Sequence, residues 1–448
     1  MKFARSLPAI ALLVIVSTAV ILIATSRISS EAPLLVGSAS YALYDAAFDV
    51  DHPLSLYLEL LSRLSLSEVT AGAITFGLLS LLLGWMLLRR YNLGYGQSLF
   101  ILAVWAISYT FLGSLFSSGI IPAAFCILFG ASLLFLMGRR ILAGVFLLLL
   151  PLISPIVSLG AYVLFLLFCS FDKRSLRSAS LVLMPSVVVF VVIVYEHLRK
   201  NTLLFLRPQV SVLFQELGVY QGAPLLLFLL SLGGALFFWR RALKVSYILG
   251  GIQLVLATLF PVVLPFASLL VTLLAARTFL LINQASWKLE LSRKAFTVIF
   301  LLAIIFSTMT GMLEIIHEDP RAEQMQSLQA LEELSSAKIL TDPEIAPIVS
   351  VLSAKETYPA SAAEHRTALV VLRNPSFFAV TDFLAQNNIS YIYVTADMLS
   401  GNVWNHTDQG LLLVLTNNNT FTEVYEDGYA QIYHFKDLQN QTGLSRSV

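Results

Sequence analysis

Between Tyr44 and Leu61 the chain reads YDAAFDVDHPLSLYLELL, which gathers Asp45, Asp49, Asp51, His52 and Glu59 into one short stretch of a protein that is only 12% charged. Asp49 and Asp51 form a D-x-D arrangement. On an extended segment, side chains at i and i+2 share a face, and hard carboxylate oxygens there suit one divalent cation, Mg²⁺ or Mn²⁺. Like charges this close resist desolvation unless a cation or a reaction offsets them. The competing reading is an interfacial amphipathic helix: Leu54, Tyr57, Leu58, Leu61 and Leu64 recur at helical spacing, and Glu59 and Arg63, at i and i+4, can pair. His52 has no second His at metal-ligand spacing and reads by itself as a turn or packing residue.

The elements that must position these carboxylates are apolar. The 448-residue chain is 57% hydrophobic with a mean hydropathy of +0.81, which excludes a soluble globule. Eleven apolar runs lie near residues 8–26, 68–88, 98–116, 120–138, 141–154, 156–171, 178–196, 223–239, 245–260, 262–287 and 295–313. Runs of about 17 to 25 residues match the hydrocarbon core of a bilayer. The fold class read from this pattern is a polytopic α-helical membrane protein of about 11 spans, with a small C-terminal α/β domain outside the cytoplasm.

Charge orients the runs. Lys2 and Arg5, Arg89–Arg90, Arg139–Arg140, Lys173, Arg174 and Arg177, Arg240, Arg241 and Lys244, and Lys288, Arg293 and Lys294 fall in alternate connections, whereas the others hold Arg27, Arg63, Arg199, Lys200 and Arg207. Basic residues near span ends are retained in the cytoplasm, so the N-terminus is expected inside and residues 314–448 outside, in a multi-pass protein of the cell membrane. Keeping this parity requires turns at Pro151–Pro155 and at Phe260–Pro265, where proline disfavours helix continuation. The first run, about 18 residues long, exceeds a secretory signal core and reads as an uncleaved anchor. Cys126 and Cys169, the two cysteines, both fall in apolar runs and read as structural thiols.

Residues 1–313 carry 21 Lys+Arg against 10 Asp+Glu, whereas residues 314–448 carry 7 against 17. Two regions are therefore expected: a membrane domain over 1–313 with an acidic first outer loop at 27–67, and an outer domain over 314–448. In the tail the pattern predicts helices around 321–336, 343–353 and 375–387, strands at 338–342 and 389–395, and a closing hairpin, FTEVYEDGYAQIYHF. No Gly-rich phosphate loop follows either strand, and nucleic acid is not an expected partner. Sequons at Asn388, Asn405, Asn418 and Asn440 agree with an outer location.

Six of the ten acids of the membrane region, Glu31, Asp45, Asp49, Asp51, Glu59 and Glu68, lie in or beside the first outer loop. That loop, followed by DVDHPLSLYLELLSRLSLSEV and an apolar segment ending LLRRY, resembles the start of the lipid-donor glycosyltransferases of the GT-C superfamily. Its O-mannosyltransferase-like and aminoarabinose transferase-like branches carry an Asp-Glu pair followed by a His-Pro-Pro-Leu element, matched here by His52-Pro53-Leu54 and by Asp45. Ala46 stands where those branches have Glu, and Ser55 leaves a single proline. The loop over 199–222, with Glu216 as its one acid, resembles the outer loops of oligosaccharyltransferase-like members.

The resemblance implies an integral membrane enzyme that moves a sugar from a polyprenyl-phosphate-linked donor to an acceptor protein or glycolipid outside the cytoplasm. Asp45 is then the candidate base, with Asp49, Asp51 and Glu216 beside it in the catalytic set. Asp49 and Asp51 would hold the cation; His52, Arg199, Lys200 and Arg207 would meet the donor, the basic groups at its phosphate. Two other readings stand beside this one. Ala46 and Ser55 favour a catalytically degenerate GT-C-like scaffold. The Pro-broken hairpins favour a transporter or flippase, against which stand the scarcity of acids within the spans and the lack of an internal repeat.

Overall fold

The computed structural model describes residues 7–29, 32–33, 65–317 and 319–436, less 92, 118, 171–175, 200–224, 239–243, 261–262, 286–288, 336, 361, 400–402 and 405–408. The chain forms two compact units, Met1–Ser26 with Val50–Glu318, and Arg27–Asp49 with Asp319–Val448.

The first unit is helical. Its elements are α1 (Leu7–Ser29, whose last turn belongs to the second unit), α2 (Leu66–Arg90), α3 (Tyr95–Ala106), α4 (Tyr109–Leu115), α5 (Ile120–Leu136), α6 (Arg140–Ile153), α7 (Pro155–Ser170), α8 (Leu176–Arg199), α9 (Leu225–Phe238), α10 (Lys244–Leu259), α11 (Leu264–Gln284) and α12 (Glu290–His317). Among the described residues, α2, α8, α11 and α12 are long and apolar enough to cross a membrane. The apolar runs all become helices, but the run at 98–116 is two helices rather than one. Ser108 divides it, because its hydroxyl caps α4 by accepting from Phe111 N–H (3.4 Å) and donates to Trp105 O (2.6 Å). Helix α12 runs to His317, past the composition boundary at 313.

Both Pro-marked turns are breaks between adjoining helices. Ser154 is extended (φ −161°, ψ 123°) between α6 and α7, and α10 gives way to α11 between Leu259 and Leu264. Within the unit, α5 packs on α2 and α6, α7 on α10, and α11 on α3 and α9. The interior is aromatic: Trp105 lies 4.4 Å from Phe111 and 4.8 Å from Phe125 between ring centroids, and Phe125 lies 4.5 Å from Phe266. Helices α7 and α11 approach closely at Gly160, where a Cβ would meet Val263 Cγ1 at 2.7 Å. Serine supplies the polar fastening. Tyr162 of α7 hydrogen-bonds Ser186 of α8, and Ser186 Oγ donates to Leu147 O of α6 (2.6 Å).

The second unit contains a five-stranded sheet ordered β2-β1-β3-β5-β4. The elements are α13 (Ala322–Glu333), β1 (Lys338–Leu340), α14 (Ala346–Ser353), β2 (Thr357–Tyr358), α15 (Ala362–Leu372), α16 (Phe377–Gln386), β3 (Ile389–Thr395), α17 (Leu411–Leu415), β4 (Phe421–Glu426) and β5 (Ala430–Phe435). Strand β1 runs parallel to β2 and β3, while β5 is antiparallel to β3 and β4. A central strand covered on both faces needs a continuous apolar run rather than alternation, and ISYIYVT meets that need: Ile389 and Tyr391 through Thr395 are buried. The β4–β5 turn is Asp427-Gly428, with Asp427 Oδ1 accepting from Tyr429 N–H (2.7 Å) and Ala430 N–H (2.6 Å).

Two expected outcomes follow for this unit. Gly410 has φ +55°, and a Cβ there would lie 2.6 Å from Leu372 O and 2.8 Å from Trp404 Nε1, the pair joined by a 2.7 Å hydrogen bond. Gly410→Ala is expected to destabilise the unit by roughly 2 to 5 kcal/mol through backbone strain and overpacking. Gly428→Ala, where the added carbon meets nothing within 4 Å, is the control; equal effects in thermal unfolding of the full chain would refute the packing account.

Asp342, buried at the end of β1, accepts from Glu344 N–H (3.2 Å). Burial pushes its carboxyl above the ordinary range, against the Glu344 hydrogen bond and the Arg373 charge. The folded protein therefore binds this proton more tightly than the unfolded chain, so the group's contribution is present at low pH and lost as pH rises through the raised value. Asp342→Asn is expected to reduce that fall, read as hydrogen-exchange protection of β1 and β3 from acid to neutral pH. An unaltered pH slope in the variant would count against it.

Candidate functional site

Asp45, Asp49, Asp51 and His52, and with them Lys200, Arg207 and Glu216, lie outside the described residues. So do Glu59 and Arg63. Arg199 is the last residue of α8, placed by its backbone. Among the described residues no group of three His, Cys, Asp or Glu forms a cation site, and the D-x-D carboxylates are not among those residues. Arg277, on α11, has an exposed side chain flanked by buried neighbours.

The described structure does define the two ends of the acidic stretch 27–67. At its far end Ser65, extended at φ −71° and ψ 159°, is the N-cap of α2. Ser65 N–H donates to Glu68 Oε2 (2.7 Å), and Ser65 Oγ also donates to it (2.9 Å). Glu68 N–H in return donates to Ser65 Oγ (3.4 Å), a reciprocal box that satisfies a donor the first helical turn otherwise leaves exposed. Glu68, one of the six acids that crowd this region, is thereby committed to starting a helix.

At the near end the chain leaves α1 through Arg27, which is fully buried. Arg27 Nε donates to Pro33 O at 2.6 Å, Arg27 Nη2 donates to Pro320 O at 2.9 Å, and Arg27 O accepts from Ala32 N–H at 2.9 Å. Next to it lies a polar network at the foot of the sheet. Asp319 pairs with Arg321 (3.3 Å), Arg321 reaches Asp397 (4.0 Å), and Asp397 Oδ2 accepts from Tyr429 Oη (3.1 Å). Gln324 donates to Tyr429 Oη and accepts from Arg321 N–H (3.0 Å). Burial pushes the Asp319 carboxyl up, and the charges of Arg321 and Arg27 oppose that rise. The Tyr429 phenol is held well above its usual value by burial and by Asp319.

These residues were not singled out by type. Arg27 reads in sequence as an outer basic residue that sets parity, and Asp319 carries no motif; the fold buries the first and desolvates the second. The available signal was the isolation of Arg27 at the close of a long apolar helix, where a guanidinium needs partners if it is not in water.

No family profile and no curated protein sequence matches the chain. Solved structures do. The oligosaccharyltransferase of Archaeoglobus fulgidus, tethered to an acceptor peptide containing the NVT sequon, matches with a TM-score of 0.55 at 12% identity over 86% of this chain and 69% of its own. The archaeal oligosaccharyltransferase AglB of A. fulgidus, in complex with an inhibitory peptide and a dolichol-phosphate, matches with a TM-score of 0.53 at 11% identity, over 92% and 72%. ArnT from Cupriavidus metallidurans, in the apo state, matches with a TM-score of 0.53 at 12% identity, over 95% of this chain and 98% of that one. At these identities the likeness is one of fold: the chain has a fold similar to that of these oligosaccharyltransferase and ArnT structures.

Proposed function

We propose that the chain is an integral membrane glycosyltransferase that transfers a sugar from a polyprenyl-phosphate-linked donor to an acceptor outside the cytoplasm. The observation that carries this reading is the end-to-end correspondence of the GT-C fold, 95% of this chain against 98% of ArnT, in a sequence whose acids concentrate in the first outer loop. The dolichol-phosphate and peptide complex of AglB supports a lipid-linked donor and a polar acceptor.

In this reading Asp45 takes the proton from the acceptor as its oxygen or nitrogen attacks the sugar's anomeric carbon. The bond to the donor phosphate breaks, and the electron pair leaves with the lipid phosphate. Asp49 and Asp51 would hold a divalent cation, Mg²⁺ or Mn²⁺, which would supply positive charge for the leaving phosphate, and Lys200, Arg207 and Arg199 would balance the rest of that charge. His52 and Glu216 complete the site. The outer domain, residues 314–448, and the loop 27–67 lie on the same, extracytoplasmic side.

Transfer of radiolabelled sugar from polyprenyl phosphate, in membranes carrying each variant, tests the assignment. Asp45→Asn is nearly isosteric and is expected to lower the rate by about 10² to 10⁴. Asp49→Asn and Asp51→Asn are expected to weaken metal-dependent turnover, their combination by less than the sum, because both act on one cation. Full activity of Asp45→Asn sinks the base assignment, and no wild-type transfer across a donor panel favours the degenerate scaffold suggested by Ala46 and Ser55.

Topology is tested separately. A cysteine at Ser335, an exposed residue of the second unit, is expected to react with an impermeant reagent on intact cells, and cysteines at Arg89 or Arg140 only after lysis. The reverse pattern overturns the proposed orientation.

A further inference from the structure

We propose that Arg27 is a positioning residue, the anchor by which the outer domain holds the start of the loop bearing Asp45, Asp49 and Asp51. The inference rests on the glycosyltransferase reading for its effect on rate, and on the structure alone for the anchor itself.

Three observations converge. The guanidinium is completely buried, and it spans two stretches of chain: Pro33 O at 2.6 Å, six residues on, and Pro320 O at 2.9 Å, 293 residues away. The same residue's carbonyl accepts from Ala32 N–H, so both the backbone and the side chain of Arg27 are tied to the Ala32–Pro33 pair. Finally, Arg27 lies close enough to Asp319 for its charge to oppose the burial of that carboxyl. Asp319 in turn enters the Arg321–Asp397–Tyr429–Gln324 network built from the start of α13 and the ends of β3 and β5.

A buried guanidinium is tolerated only when its donors are met and its charge faced. Its planar fork can serve two carbonyls in fixed directions, which a lysine ammonium on a flexible stem does not reproduce. The chain leaving Arg27 toward the carboxylates therefore starts from a fixed point on the outer domain. Small displacements of catalytic groups lower rate steeply, so an anchor at the loop's root acts on turnover without touching substrate.

The test uses the full chain in detergent or nanodiscs. Hydrogen exchange is followed in peptides covering 27–33 and 319–324, with β3 and β5 as internal references. Arg27→Ala is expected to speed exchange in both stretches at least tenfold while the references hold, and Arg27→Lys to give an intermediate increase. In the transfer assay Arg27→Ala is expected to lower kcat about 10- to 100-fold with donor KM within twofold, with partial recovery in Arg27→Lys. Unchanged exchange at 27–33 in Arg27→Ala overturns the anchor; faster exchange with unchanged kcat overturns the positioning role. Should Arg27→Ala fail to fold, Arg27→Lys decides: exchange and kcat both at wild-type level overturn the proposal. An inactive wild type removes the glycosyltransferase reading and the positioning role with it, while exchange still decides whether the anchor exists.

Discussion

Hydrocarbon offers no hydrogen bonds, and the first unit of this protein is organised around that constraint. Backbone groups in such a medium must be satisfied within the segment, which is why each apolar run becomes a helix and why the breaks are so closely managed. The serines illustrate the management. Ser108 satisfies the start of α4 and the end of α3 with one hydroxyl, and Ser186 ties three helices through Tyr162 and Leu147 O. Such bonds matter where water is absent as an alternative partner, although each contributes only about 1 kcal/mol.

The remaining cohesion of that unit is close packing. Lipid tails are as apolar as leucine, so burying one more aliphatic group against another helix gains little from water exclusion, and shape decides. Gly160 lets α7 reach α11, and the Trp105, Phe125 and Phe266 rings fill the space between α3, α5 and α11. Apolar side chains on the outside, such as Ile141, Leu181, Phe306 and Met309, are what a lipid-facing surface requires.

The second unit is held together differently, by one apolar core beneath a sheet. Its stability comes from burying Leu340, Leu384, Ile392, Val394 and Leu411 in one core, each side chain giving about 1.5 to 3 kcal/mol. The polar network at the foot of the sheet lies where the chain enters this unit from α12, and it receives Arg27 there. Charges in that position are costly to desolvate, so they are retained only in mutual company: Asp319 with Arg321 and Arg27, Asp397 with Arg321 and Tyr429.

Sequence by itself determined the membrane class, the approximate limits of most helices of the first unit, the central strand ISYIYVT, the Asp-Gly hairpin and the acidic composition of the stretch 27–67. All of these are signals within a window of a few residues: hydropathy, periodicity and turn chemistry. The tertiary structure alone decided the rest. Strand β2 is two residues long and exists because Ile339 pairs with Thr357 and Leu340 with Tyr358; nothing local marks it. Helix α15, a mixed stretch of Ala, Glu, His, Arg and Val, is helical because Ala368, Val371 and Leu372 find the core. The burial of Arg27 is the clearest case. Its place at the close of an apolar helix signals a need for partners, but the partner Pro320 is 293 residues distant, and nothing in the residues on either side of Arg27 names it.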